Sequence, residues 1–134
     1  MVWIPASLPY EYLSISAGTW FYDQNQMPPA VEEFREAIEY MYRLAELQNE
    51  AQDLVNSCSF LLRASHVNVR DWFTTIQYDF SEEEAREIVA YCLQVAKELG
   101  GAYLTPSNID GLSDEPLAEW RSHHKSSRSD ESSS

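Results

Sequence analysis

The sequence predicts an all-α fold, in which a small helical bundle or hairpin follows an extended, aromatic N-terminal arm. Two observations predict the helices: apolar residues recur with helical spacing over residues 30–64 and again over residues 81–99. The third observation is the length and composition of the chain. Its 134 residues, 44% of them hydrophobic, are enough for one domain with its own core. We therefore expect three parts, an arm at 1–29, a helical domain at 30–121 and a disordered polar tail at 122–134.

The N-terminal arm, residues 1–29, is rich in aromatic residues and proline. Residues 13–16 read Leu-Ser-Ile-Ser, and this alternation is typical of an extended segment or a short strand. The nearest candidate for a partner strand is the segment 102–104, which is distant in sequence. We expect the arm to be extended and to pack its aromatic side chains on the helices.

The first helical pattern covers residues 30–64, which contain no glycine or proline. One interpretation is a single helix of about 50 Å, which begins after Pro28-Pro29. The alternative is a break near Gln48 and Asn49, because Gln48 is a polar residue on the apolar stripe and Asn49 is a modest helix former. The stripe consists of Phe34, Ile38, Met41, Ala45, Gln48, Ala51, Val55, Cys58 and Leu62.

The second helical pattern, residues 81–99, has recognisable signals at both ends. Ser81 and Glu84 have the spacing of a capping box, in which each residue satisfies the backbone amide of the other. Gly100 follows the last turn, where glycine commonly stops a helix. This is the best-defined helix that the sequence predicts.

The segments on either side of that helix are shorter. Within residues 67–80, Asn68 is a candidate cap for a short helix, whereas the β-branched residues 74–76 favour an extended chain instead. Residues 105–116 are rich in turn-forming residues, and a short helix is expected around residues 117–120.

Both cysteines, Cys58 and Cys92, lie on apolar stripes and are predicted to be small buried core residues. A disulfide between the two helices is the alternative, and neither cysteine has a second ligand at metal-binding spacing. The first residues lack the features of a signal peptide, and no run approaches the ~20 apolar residues of a membrane span. We therefore expect a cytoplasmic protein that does not bind a membrane.

Residues that usually carry chemistry are sparse in this sequence. His123 and His124 fall in the predicted tail, and His66 lies at the predicted end of a helix, where the helix dipole favours a protonated imidazole. The 4 glycines are too scattered to form a phosphate-binding loop, and the Glu-x-x-His pattern of a two-metal helical bundle is absent. We predict no catalytic residues, no cofactor and no metal site.

Negative charge is the clearest departure from an average composition. The chain has 22 Asp and Glu against 9 Lys and Arg, which gives a net charge of −13. A field of this sign repels nucleic acid and anionic membranes, so we expect no direct nucleic-acid binding. The same field attracts basic surfaces of other proteins. The acidic surface typical of halophile proteins is an alternative explanation of the charge.

Six acidic residues of the first helical pattern are predicted to form one line. All but Glu50 lie two positions before a residue of the apolar stripe, about 200° around the helix on the face opposite the core, and Glu50 continues their spacing of three and four residues. The line would span about 32 Å, close to one turn of DNA. It is either an ordinary solvated face or a partner-binding surface. The candidate partner-binding residues are Glu32, Glu36, Glu39, Glu46, Glu50 and Asp53.

These observations lead to three hypotheses for function. The first is a non-enzymatic binding protein, a nucleic-acid mimic that docks on and blocks a basic surface such as that of a nucleic-acid-binding protein. Phage-encoded viral inhibitors of defence nucleases and immunity proteins against nuclease toxins work in this way as a class. The analogy with them rests on charge and size, not on a shared motif. The second is a homo-oligomeric helical structural or assembly protein. The third is an enzyme with an unfamiliar carboxylate or metal site.

Overall fold

The computed structural model of the protein describes residues 3–22, 26–64, 66–74, 76, 78–100 and 106–123. Most of these residues are helical, and the prediction of a small all-α fold is confirmed. Two 3-10 helices, Val31–Phe34 and Val69–Phe73, precede the second and fourth α-helices. The remaining elements, in chain order, are strand β1 (Trp3–Pro5), helices α1 (Ser7–Phe21), α2 (Arg35–Leu47), α3 (Ala51–Arg63) and α4 (Glu82–Gly100), strand β2 (Gly111–Ser113) and helix α5 (117–123).

The N-terminal segment differs most from the predicted fold, because residues 13–16 lie in the middle of α1. The expectation of an extended arm is wrong for these residues, and β1 is the one strand among the described residues of the arm. Pro9 lies in the first turn of α1, where proline is tolerated. Core packing outweighs the modest helix propensity of serine and glycine here. The side chains that α1 buries have helical spacing: Leu8, Tyr12, Leu13, Ser16 and Ala17.

Helix α1 packs on one side of α2 and α3 and on both 3-10 helices. It contacts α2, α3 and the 3-10 helix Val69–Phe73, while α4 packs on α2 and α3. Cys58 of α3 and Cys92 of α4 are buried and free, as the apolar pattern predicts. Burial raises the pKa of the Cys92 thiol to about 12, so this side chain serves the core as a neutral thiol.

The two strands pair in parallel and connect distant parts of the chain. Trp3 lies opposite Gly111, and Pro5 lies opposite Ser113. A Cβ atom at Gly111 would lie 2.5 Å from the Trp3 ring, so glycine is what allows the indole to cover this strand. The partner strand differs from the candidate at 102–104, which lies outside the described residues.

The long pattern over residues 30–64 forms two helices, and the break lies where the alternative interpretation put it. Asn49 has a φ of 58°, a left-handed conformation that asparagine tolerates better than most residues. The amide of Asn49 donates to the carbonyl of Glu46, and the amide of Glu50 donates to the carbonyl of Ala45 at 2.8 Å. This is the hydrogen-bond pattern of a Schellman motif, so α2 ends in a specific cap and α3 begins immediately afterwards.

The predicted capping box of α4 is present. The Ser81 amide donates to the Glu84 carboxylate at 2.9 Å, and the Glu84 amide donates to the Ser81 hydroxyl at 3.1 Å. Asn68, the candidate cap of the preceding helix, makes no capping side-chain hydrogen bond within the described part of the chain. The carboxylate of Glu82 takes that role, because it accepts hydrogen bonds from the amides of Val69 and Arg70. Two residues of the first turn of α4 therefore act as caps, Glu82 for the 3-10 helix Val69–Phe73 and Glu84, with Ser81, for α4 itself.

The C-terminal part of the described chain is helical over residues 117–123, which confirms the short helix expected around 117–120. Residues 122 and 123, expected to belong to the tail, continue this helix. Residues 124–134 lie outside the described residues, so the predicted disorder of the tail stays a prediction there. Trp120 is buried and anchors α5 to the core.

Candidate interaction surface

Four of the predicted partner-binding residues lie together on the outside of the molecule. Glu32 belongs to the 3-10 helix Val31–Phe34, and Glu36, Glu39 and Glu46 belong to α2. Glu32 and Glu36 are exposed, and the side chains of Glu39 and Glu46 are 41% and 40% exposed. These four carboxylates are therefore accessible to a partner.

The other two predicted residues are placed differently. Glu50 is 1% exposed, so the prediction that it lies on the face opposite the core is wrong. Asp53 lies in the first turn of α3 and is partly buried. The physical reason is the break at Asn49, which ends the helical periodicity and with it the straight line of carboxylates after Glu46.

The exposed side of α2 also carries two large apolar side chains that the sequence analysis did not single out. Tyr40 is 60% exposed and Leu47 is 82% exposed. The two lie seven residues apart, so they point to nearly the same side of the helix. A signal was present in the sequence, because neither residue belongs to the apolar stripe that faces the core.

We call this surface the α2 face. At 3.6 residues per turn its α2 members cover about 120° of the helix circumference, and the surface extends roughly 20–25 Å along the axis. It therefore combines five carboxylates with one guanidinium and two apolar side chains. The members of the α2 face are Glu32, Glu33, Glu36, Glu39, Tyr40, Arg43, Glu46 and Leu47.

Ion pairs hold part of this surface in place. Arg43 pairs with Glu46 at 2.6 Å, within the face itself. Arg35 pairs with Glu39 at 3.1 Å and with Glu98 of α4 at 2.6 Å, so it connects the two helices. The hydrogen bond from Arg35 holds the pKa of the Glu98 carboxyl below its ordinary value. Glu39 of the face therefore lies beside a fixed contact between α2 and α4.

Glu50 belongs to a buried polar cluster on the other side of the turn. Its carboxylate accepts hydrogen bonds from the Tyr12 hydroxyl at 2.7 Å and from two nitrogens of Arg121 at 2.8 and 2.9 Å. Arg121 also donates to Glu11, and Gln48 donates to the Tyr12 hydroxyl at 3.2 Å. The cluster thus joins α1, the turn between α2 and α3, and α5.

The pKa shifts in this cluster indicate a structural role. Burial, followed by the hydrogen bond to Glu50, raises the pKa of the Tyr12 phenol well above its ordinary value. Burial acts to lower the pKa of the Arg121 guanidinium, but its hydrogen bonds to Glu50 and Glu11 outweigh this and raise it. Tyr12 therefore stays neutral and Arg121 stays charged, so neither group exchanges a proton near neutral pH.

The residues that could carry other chemistry are dispersed. His66 is exposed and makes an edge contact with the Phe60 ring at 6.4 Å. Among the described residues, no group of three or more His, Cys, Asp or Glu side chains is placed to hold a metal ion. Within the same part of the chain, no helix has both the length and the apolar character needed to cross a membrane.

The α2 face is thus the most distinctive accessible surface that the fold builds from the predicted site residues. Comparisons of the chain with models of known protein families, with curated proteins and with solved structures find no match.

Proposed function

We propose that this protein is a non-enzymatic binding protein whose α2 face docks on a basic surface of a partner protein and blocks it. The observation that carries the proposal is the composition of that face. Five carboxylates lie beside two large apolar side chains, Tyr40 and Leu47, that are mostly exposed. Large apolar anchors within a charged rim are the arrangement that protein interfaces use.

The two kinds of side chain have different roles in this proposal. Carboxylates such as Glu32 and Glu36 steer a basic partner towards the face and select against acidic ones. Tyr40 and Leu47 are excluded from water on docking, and this burial slows dissociation. The net charge of −13 extends the attraction beyond the face.

The partner surface that fits best is one that otherwise binds a nucleic-acid backbone. Such surfaces carry clustered lysine and arginine side chains and prefer closely spaced negative charges. The α2 face extends roughly 20–25 Å, about two thirds of a DNA turn. A partner of this kind would lose access to its nucleic acid while the complex lasts.

A self-associating assembly protein is the second candidate, and the exposure of Leu47 at 82% favours it. A symmetric dimer through the α2 face would place five carboxylates against five identical ones, which costs binding energy. Light scattering after size-exclusion chromatography distinguishes the two candidates. A dimer that dissociates when Leu47 is changed to Glu would replace the first proposal with the second.

The test of the proposed function has two stages. The immobilised protein first captures partners from a lysate of its natural host, and the captured protein is then purified. Binding of that partner is measured in real time for the wild type and for a variant in which Glu32, Glu36, Glu39 and Glu46 become Gln. We expect the association rate to fall by about tenfold or more and its dependence on salt to weaken.

A matched control removes the same number of charges elsewhere. Changing Glu83, Asp114, Glu115 and Glu119 to their amides leaves the α2 face intact, so binding should stay within about threefold of wild type. Circular dichroism checks that both variants fold. The proposal is overturned if the two variants bind equally well, or if Tyr40→Ala with Leu47→Ala leaves the dissociation rate unchanged.

A further inference from the structure

A cavity of about 360 Å³ opens beside the 3-10 helix Val69–Phe73. Three aromatic residues line it, of which Tyr78 is partly exposed and Phe73 and Phe80 are buried, and the Phe80 centroid lies 4.9 Å from the centroids of both Phe73 and Tyr78. This volume is at the small end of ligand pockets. It suits one large side chain better than a whole nucleotide or cofactor.

The charged groups of the cavity have a net negative sign. Asp71 and Asp79 lie on its lining together with Arg70, and all three residues are exposed. Arg70 offsets one of the two carboxylates. The hydroxyl of Tyr78 donates to the carboxylate of Glu84 at 2.8 Å, which places a further negative charge at the edge of the aromatic cluster.

These features together define the chemistry of the occupant. Aromatic faces carry negative electrostatic potential and attract cations, and arginine uses this contact more often than lysine. A planar guanidinium can lie against a ring and at the same time donate two hydrogen bonds to one carboxylate. An anionic occupant would be repelled by the net negative charge of Asp71, Asp79 and Arg70 together, and a purely apolar one would gain nothing from it.

The aromatic cluster beside the cavity is continuous with the aromatic packing of the 3-10 helix Val31–Phe34. The Phe21 ring stacks on Tyr78 with centroids 4.8 Å apart, and it lies 6.2 Å from the ring of Phe34. Phe34 closes the 3-10 helix that carries Glu32 and Glu33.

We propose that this cavity is an arginine pocket, in which Asp71, Asp79 and the partly exposed ring of Tyr78 hold one guanidinium group of the partner. The source of that arginine rests on the proposed function. The preference of the cavity for a guanidinium is a property of this chain alone, and it is measured without the partner.

The experiment uses the 134-residue chain and two short peptides, acetyl-Gly-Arg-Gly-amide and its citrulline analogue. Citrulline has nearly the same shape as arginine but lacks the charge. Peptide is titrated into isotope-labelled protein, and chemical shifts are followed by NMR. We expect saturable shifts around Phe73, Tyr78 and Phe80, and about tenfold weaker binding of the citrulline peptide.

Two variants test the carboxylates. Asp71→Asn combined with Asp79→Asn should weaken binding of the arginine peptide about tenfold. The control, Asp114→Asn with Glu119→Gln, removes the same charge outside the cavity and should bind like wild type. The pocket is disproved if the two peptides bind equally, if the shifts lie elsewhere, or if both double variants weaken binding to the same degree.

The outcome is independent of the test of the α2 face. Saturable arginine binding in a protein whose partner ignores the α2 face would retain the pocket and reject the proposed docking surface. Loss of partner binding in the α2 variant, with no peptide binding to the wild type, would retain the docking surface and reject the pocket.

Discussion

Glu46 and Glu50 lie four residues apart, and the molecule uses their identical carboxylates in opposite ways. Glu46 is 40% exposed and pairs with Arg43, three residues before it in the same helix. Glu50 is 1% exposed and pairs with Arg121, 71 residues later in the chain. The first pair is local and leaves the carboxylate accessible, whereas the second is tertiary and fixes three elements together. Burial and sequence separation, not residue type, decide which role a glutamate has here.

The largest expected effect comes from breaking the buried pair. Arg121→Met leaves the Glu50 carboxylate in the core without its cation, and we expect a loss of about 3 kcal/mol in the free energy of unfolding. This is the lower end of the range for a broken buried pair, because the Arg121 side chain is 21% exposed. Urea unfolding followed by circular dichroism measures it.

The double variant Glu50→Gln with Arg121→Met separates the cost of an unpaired charge from the value of the pair. We expect it to recover at least half of the lost stability, because the uncompensated buried charge is gone. A double variant no more stable than Arg121→Met would show that lost packing of the arginine side chain, not charge, causes the destabilisation.

The next largest effect comes from the turn that separates the two glutamates. Asn49 has a φ of 58°, and a β-branched residue there is strained, so Asn49→Val should cost about 2 kcal/mol. Asn49→Gly adopts the same conformation without strain and should be nearly neutral. If Val and Gly have equal effects in thermal unfolding, the left-handed turn does not determine where Glu50 lies.

Alkaline pH should weaken the buried cluster selectively. The folded pKa of Tyr12 lies above its ordinary value of 10, so the phenol is neutral in both states below pH 10 and ionises only in the unfolded chain above it. The contribution of the neutral Tyr12 phenol to the free energy of unfolding is therefore fully present below pH 10. It falls as pH rises, by about 1.4 kcal/mol at pH 11. Tyr12→Phe should lack this part of the pH dependence.

Wild type and Tyr12→Phe are compared by the slope of the free energy of unfolding against pH. Its absolute values differ in any case, because Tyr12→Phe also removes hydrogen bonds. The pKa values of Tyr42 and Tyr78 are raised as well, and both residues remain in the variant. Parallel slopes for wild type and Tyr12→Phe between pH 9 and 11, roughly one unit on either side of the ordinary tyrosine pKa, would refute the expectation.

The smallest effect is expected on the exposed side. Arg43→Met makes the same chemical change as Arg121→Met, but Arg43 and Glu46 are both well solvated. We expect a urea midpoint indistinguishable from that of the wild type, because an exposed pair contributes little to stability. A midpoint shift as large as that of Arg121→Met would mean that the α2 face is a structural surface, not one free for docking.

Local signals in the sequence predict the parts of the fold that local interactions control. The capping box at Ser81 and Glu84 and the helical stripe of α4 involve residues three or four apart, and the structure confirms both. The break at Gln48 and Asn49 was one of two interpretations, because a Schellman cap formed by asparagine is a weaker signal than one formed by glycine.

Long-range contacts explain why helix α1 and the burial of Glu50 differ from the predictions. α1 is helical because Leu8, Tyr12 and Ala17 pack against the other helices, whereas its serines and Gly18 suggest otherwise. The burial of Glu50 depends on Arg121 and so cannot be inferred from the periodicity of residues 30–64. The accessible acids of the candidate site can be predicted in part, since Glu36, Glu39 and Glu46 share the phase of one helix, whereas Glu50 and Asp53 lie beyond its end.

The parallel pairing of β1 with β2 has a consequence for biosynthesis. Pro5 and Ser113 leave the ribosome roughly 5 to 20 s apart at ordinary rates of translation, and Arg121 follows later still. During that interval the nascent chain has the sequence of α1 to α4 but neither the partner of its first strand nor the cation for Glu50. We expect chains terminated before Arg121 to be cleaved by proteases more readily than chains that contain α5.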